Sequence, residues 1–209
     1  MRIIFVRHGD TNLKTGTLSK TGVRQIKQSA KYLKNEKIDA IFCSPKTRAV
    51  QTANILKNQL KAEVYIEKNL NERQILTPSQ RTLYATEFDE NYLNYNFQSP
   101  NFETCKDFID RNFQGFINIL TTINPKLFRD IEDPLKLFRK GVINFELSKK
   151  EENNEINASL SESLSNHTII IAAHSSTLYA LNAFMNGIPH HGQITWLQCN
   201  NGAVIKFFI

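Results

Sequence analysis

The sequence predicts an α/β fold: a three-layer, doubly wound, mostly parallel sheet with helices on both faces. Three observations carry that expectation. Short apolar runs at 3–6, 40–43 and 168–173 are continuous rather than alternating, the pattern of strands buried on both faces. Amphipathic helical patterns separate these runs, so strand and helix alternate along the chain. Finally, 209 residues with 41% hydrophobic content suffice for one good core, so a single domain over 1–209 is expected.

The run Ile3-Ile4-Phe5-Val6 opens the chain as a strand. Ser19 is placed to cap a helix in which Val23, Ile26, Ala30 and Leu33 recur at helical spacing. A second strand, Ala40-Ile41-Phe42-Cys43, runs into Ser44-Pro45, read as an N-cap followed by proline at the first helical position. The helix after it turns Ala49, Ala53, Leu56 and Leu60 inward. Residues 64–66 form a third strand, followed by a loop containing Leu70-Asn71-Glu72-Arg73. A long helix is expected over 102–123, from Phe102, Cys105, Ile109, Phe113, Phe116, Leu120 and Ile123. The clearest strand, 168–173, ends at His174, and Leu178, Leu181 and Met185 mark the next helix. Residues 194–199 and 203–208, joined by Asn200-Asn201-Gly202, read as a closing hairpin. Two stretches lack a clear period. Residues 77–101 are polar and tyrosine-rich, and 125–167 contain the low-complexity run at 149–155; the latter is expected to be an inserted lid or mobile segment governing substrate access.

The formal charge of +6 and pI near 9.2 favour anionic partners in general. The lysines are scattered, and no zinc-finger or RNP-type signature accompanies them, so nucleic acid is not an expected partner. Cys43, Cys105 and Cys199 are odd in number and far apart, which suggests neither a disulfide framework nor a zinc site and fits a reducing cytoplasm. The first apolar run is interrupted by Arg7 and His8, too early for a signal peptide or membrane span. Oligomeric state is not legible.

Ligands of open α/β sheets bind beyond the carboxyl ends of the strands. Arg7 and His8 follow the first strand, Ser44 to Arg48 the second, Glu72 comes soon after the third, and His174 ends the strongest. Two histidines, two arginines and a carboxylate thus converge, a set suited to phosphoryl transfer onto nitrogen. An imidazole attacks phosphorus from one ring nitrogen while the other is held by a hydrogen bond. Arginine forks match phosphate oxygens, and each such donor is worth roughly 3 kcal/mol in the transition state. A carboxylic acid protonates the leaving oxygen and then, as carboxylate, activates water. Gly9 is expected to let the backbone approach the phosphate. This chemistry calls for no metal or cofactor.

These residues resemble a known family, the histidine phosphatase superfamily, also called phosphoglycerate mutase-like. Arg7-His8-Gly9-Asp10-Thr11 is similar to its Arg-His-Gly-(Glu/Asp)-(Thr/Ser) signature, and Leu18-Ser19-x-x-Gly22-x-x-Gln25 to the start of its first helix. Ser44-Pro45-x-x-Arg48-Ala49-x-Gln51-Thr52-Ala53 resembles a long and specific family block. Leu70-Asn71-Glu72-Arg73 resembles the segment holding the family's acid, and Ile171-Ala172-Ala173-His174 the strand leading into its second histidine. The resemblance is close over 1–75 and looser over 168–185. It implies a phosphoglycerate mutase-like fold, His8 as nucleophile, Glu72 as proton donor with Asp10 in reserve, and His174 as a catalytic and phosphate-binding residue. Arg7 and Arg48, with Asn12 and Ser175, complete the expected phosphate-binding set. Phe102-Glu103-Thr104 stands where members often show Gly-Glu-Ser, and Ser175 where glycine usually follows the second histidine. The loop from His8 to Leu18 is shorter than in mutases, which tilts the expectation toward a phosphatase acting on a small phosphorylated metabolite.

Other readings are weaker. The segment 16–21 resembles a P-loop, but Ser19 and Lys14 stand where that loop needs glycines. There is no Gly-x-Ser-x-Gly elbow, and His190-His191 lacks further metal ligands nearby in sequence. A mutase, a protein phosphohistidine phosphatase and a non-catalytic phosphate-binding module remain the alternatives.

Overall fold

A computed structural model describes residues 1–129, 131–135, 164 and 166–208. The expected segment at 125–167 therefore lies largely outside the described residues. Five strands form one sheet: β1 (Arg2–Arg7), β2 (Ala40–Cys43), β3 (Glu63–Ile66), β4 (Thr168–Ala173) and β5 (Val204–Phe208), in the order β3-β2-β4-β1-β5. The first four are parallel; β5 runs antiparallel along β1.

Because side chains alternate across a strand, each apolar run feeds two cores. Ile3, Phe5, Ile169 and Ile171 face one layer, where they meet α4 (Cys105–Ile123) and α5 (Ser175–Asn186). Ile4, Val6, Ile41 and Ile170 face the other, against α1 (Lys20–Tyr32) and α2 (Thr47–Leu60). This is the predicted three-layer α/β arrangement, and it explains why the strands read as unbroken apolar runs. Cys43 and Cys105 are buried in these cores, and desolvation pushes both thiols up to about 11.

Local chemistry starts each helix. Ser19 Oγ accepts from the Gly22 N–H at 3.0 Å and caps α1 as predicted. Thr104 and Asp107 form a capping box for α4, so the helix begins three residues after Phe102. Ser44 is not an N-cap: α2 starts at Thr47 after Lys46, which makes no side-chain cap, because the Ser44 hydroxyl is engaged by His174. The polar stretch after residue 76 contains an unpredicted helix, α3 (Pro78–Glu90), announced by a capping box of Thr77 and Gln80 with Pro78 in the first turn. The closing hairpin does not form. Residues 194–199 carry no strand; Ile194 instead donates to Leu93 O, and β5 pairs with β1. Among the described residues no helix is long and apolar enough to cross a membrane.

Candidate active site

Strand order assembles the site. The chain leaves β1 for β2, goes outward to β3, and later returns to insert β4 between β1 and β2, making a topological switch point. Register then fixes the spacing. The His8 N–H donates to Ala173 O at 2.9 Å and the Ser44 N–H to Ala172 O at 3.2 Å, so three adjacent strand ends present His8, His174 and Ser44 side by side. The two imidazoles lie edge-on, with centroids 5.2 Å apart. Helices α2 and α5 start at this edge, and their N-terminal N–H groups favour an anion there.

His8 is held in one tautomer. Its Nδ1 lies 2.8 Å from Gly9 O, which can only accept, and Arg48 Nε donates to its Nε2 at 3.2 Å. The proton is on Nδ1 and the lone pair on Nε2. Thr11 Oγ1 stands 3.4 Å from Nδ1 and 3.3 Å from Gly9 O. Burial lowers the His8 pKa to about 4, with the positive charges of Arg48 and Arg7 acting in the same direction. His174, fully buried, is pushed lower still by desolvation and by the charges around it, so both rings are neutral near neutral pH.

Arg48 bridges the site, donating to His8 and pairing through Nη2 with Glu72 Oε2. Its half-buried side chain sits in the first turn of α2, an unfavourable place for a cation that an anionic partner offsets. Glu72 Oε1 lies 3.7 Å from His174 Nδ1. His174 Nε2 is 2.7 Å from Ser44 Oγ, which itself accepts from the Lys46 N–H at 3.3 Å. With Ser44 Oγ donating to Nε2, the His174 proton sits on Nδ1, the buried nitrogen that faces Glu72 and has no hydrogen-bond partner.

Two braces position these groups. The 18–25 motif grips the loop after β1: Ser19 Oγ donates to Asp10 Oδ2 at 2.5 Å, and the Asp10 N–H donates to Gln25 Oε1 at 2.7 Å. Gly22 packs backbone to backbone on Gly9, and a Cβ on either would run into the opposing main chain. Gly9 is thus required for contact with α1. The second brace holds the Glu72 loop. Arg111 donates to Asn69 O at 2.8 Å and Asn71 O at 2.9 Å while paired with Glu103, whose other oxygen accepts from the Gln74 N–H at 2.7 Å.

The structure brings together His8, Arg48, Glu72 and His174, with Arg7 close enough to depress both imidazoles while it donates to Cys199 O. Ser175 opens α5 and lines the adjoining cavity in helical conformation; Lys61 is the only described non-glycine with positive φ. Asn12 does not join them. It is exposed, and its Oδ1 accepts from the Lys14 N–H to close its own turn. Asp10 accepts from Ser19 and lies near enough to His8 for its negative charge to act on that ring. Sequence reasoning missed the contact of Ser44 with His174 and the place of Arg73, Tyr92 and Trp196 on the wall of the adjoining cavity. The ligand atoms of His8, Glu72 and His174 lie within 4.8 Å of one another and could hold a metal ion. The Arg48 guanidinium, however, already places positive charge on the nitrogen such an ion would need.

A family model described as the histidine phosphatase superfamily (branch 1) matches residues 3–124. No curated protein matches the chain. Solved structures similar to it include a mycobacterial glucosyl-3-phosphoglycerate phosphatase, at 17% identity and TM-score 0.63, covering 98% of this chain and 88% of that one. Bacillus stearothermophilus YhfR shows 16% identity and TM-score 0.64, covering 98% and 89%. The α-ribazole phosphatase from Shigella flexneri shows 20% identity and TM-score 0.55, covering 90% and 81%. These likenesses establish a phosphoglycerate mutase-like fold. With more than half its length matched by the family model, the chain belongs to the histidine phosphatase superfamily, branch 1.

Proposed function

We propose that the protein is a metal-independent phosphatase that hydrolyses phosphate monoesters of small cytoplasmic metabolites through a phosphohistidine on His8. The observation that carries this reading is the convergence of a neutral, tautomer-fixed imidazole, a bridging arginine, a carboxyl group and a second neutral imidazole, drawn from four separate chain segments. Glu72 takes up the proton of a monoanionic ester as the phosphate replaces it on Arg48; His8 Nε2 then attacks phosphorus, and the bond to the ester oxygen breaks as Glu72 gives that oxygen this proton. Arg48, Arg7 and the His174 Nδ1–H stabilise the charge on the transferring oxygens. Water then attacks the phosphohistidine, passes a proton to Glu72, and phosphate leaves as His8 regains its lone pair. The phosphatases among the structural neighbours support the same direction, including a mycobacterial enzyme also solved with vanadate and with inorganic phosphate.

Release of inorganic phosphate from p-nitrophenyl phosphate and a panel of phosphorylated metabolites, with chelator present, tests the reading. Native protein is expected to turn over and His8→Ala is not. Turnover that the chelator abolishes would replace it with a metal-dependent reaction, and isomerised ester without free phosphate would replace it with a mutase.

A further inference from the structure

Beside the reactive groups, the site continues into a cavity of about 540 Å³. That is much more than a phosphate fills and lies within the ~300–1,000 Å³ of sites that enclose a whole small ligand. Arg48, Glu72 and Ser175 stand at its reactive end. Its remaining wall sets one apolar and two aromatic side chains, Ile75, Tyr92 and Trp196, among the polar Arg73 and Gln74. Ile75 is 73% and Trp196 43% exposed, so large apolar area at the mouth is left for something to cover.

Both rings are braced from behind. Trp196 packs on buried Tyr179 at 5.3 Å between centroids. Tyr92 lies against Phe88 at 5.4 Å and under the Arg73 guanidinium at 4.2 Å. Trp196 and Tyr92 themselves are 5.9 Å apart and tilted by 55°. Rings fixed in this way lose little freedom when a ligand arrives, so their contact area converts efficiently into binding. Buried Ser176 also contributes to the lining. Exposed Lys46 stands at the rim. A flat ring carrying heteroatoms uses both the braced aromatic faces and the polar side chains beside them, whereas a polyol uses only the polar ones.

We propose that Trp196 and Tyr92 form the leaving-group subsite, and that the preferred substrate is a phosphomonoester whose leaving group carries a planar heteroaromatic ring, as in a nucleoside monophosphate. This rests on the phosphatase reading above and names its substrate class. The ring stacks on Trp196, with Tyr92 beside it.

The test compares adenosine 5′-monophosphate with glycerol 3-phosphate, in native protein, Trp196→Ala and Trp196→Phe. Trp196→Ala is expected to reduce the ratio of their kcat/KM values roughly tenfold, chiefly through KM, and Trp196→Phe to restore most of it. An unchanged ratio with both esters still hydrolysed overturns the subsite and leaves the phosphatase reading standing. Trp196 is the sole tryptophan, so its fluorescence in the His8→Ala protein gives a readout independent of turnover. Quenching by the adenylate and not by glycerol 3-phosphate supports the subsite even if native protein hydrolyses neither ester. An equal response to both, or none, overturns it.

Discussion

Acidification tests the electrostatics of the nucleophile without any substrate. His8 has a pKa of about 4 in the folded protein, set chiefly by burial, against about 6.5 for an unfolded histidine. As pH falls through 6.5 the unfolded chain takes up this proton and the folded one does not. The unfolded state therefore binds more protons, and stability declines with falling pH until the folded group also titrates near pH 4. A difference of about 2.5 units at 1.36 kcal/mol each amounts to about 3 kcal/mol lost from His8 over that window. The carboxylates and His174 titrate as well, so the quantity to measure is the difference between native protein and His8→Gln. Urea unfolding at intervals from pH 7 to pH 4 supplies it. The variant is expected to gain about 3 kcal/mol relative to native protein on going from pH 7 to pH 4. A difference that stays constant with pH would mean that His8 binds its proton equally well folded and unfolded, and the account of a desolvated, neutral nucleophile would fail.

Three substitutions probe the supports. Ser44→Ala removes the hydroxyl that fixes His174 and leaves a buried ring nitrogen unpaired. It is expected to cost about 1–3 kcal/mol in thermal or urea unfolding and to lower kcat, with Ser44→Thr recovering part of both. Gly22→Ala drives a methyl group into the Asp10 main chain. A loss of about 1–3 kcal/mol is expected, together with reduced phosphate release as the His8 loop shifts. Arg111→Met unpairs Glu103 and frees the Asn69 and Asn71 carbonyls; steady-state kinetics should show kcat falling more than KM rises, because the Glu72 loop loses its anchor.

Features set by local pattern were legible in the sequence. The apolar runs of β1, β2 and β4, the Ser19 cap and the amphipathic faces of α1 and α4 each depend on residues within a few positions of one another. The reactive residues were legible because strand ends locate an α/β site, and the family resemblance then assigned them roles. What escaped was long-range. Ser44 looks like a cap until His174 arrives from 130 residues away and claims its hydroxyl. The need for glycine at position 9 as a contact for α1 appears only once Gly22 folds onto it. Helix α3 has no apolar stripe, and only Phe88 is buried along it, so its capping box was the one local signal. Trp196 and Tyr92 meet across a cavity that no sequence period encodes. Residues 194–199 have strand-like composition, but Ile194 donates to Leu93 O and Trp196 turns to the cavity wall, while β5 takes the edge of β1.

The central claim is that the phosphoryl group passes through His8. Rapid quenching during turnover of p-nitrophenyl phosphate, followed by mass spectrometry of the digested protein under alkaline conditions, tests it most directly. The account predicts one acid-labile phosphoryl group on the peptide containing His8, absent from His8→Ala. Undiminished phosphate release from His8→Ala, or a phosphoryl group trapped on another residue, would contradict it.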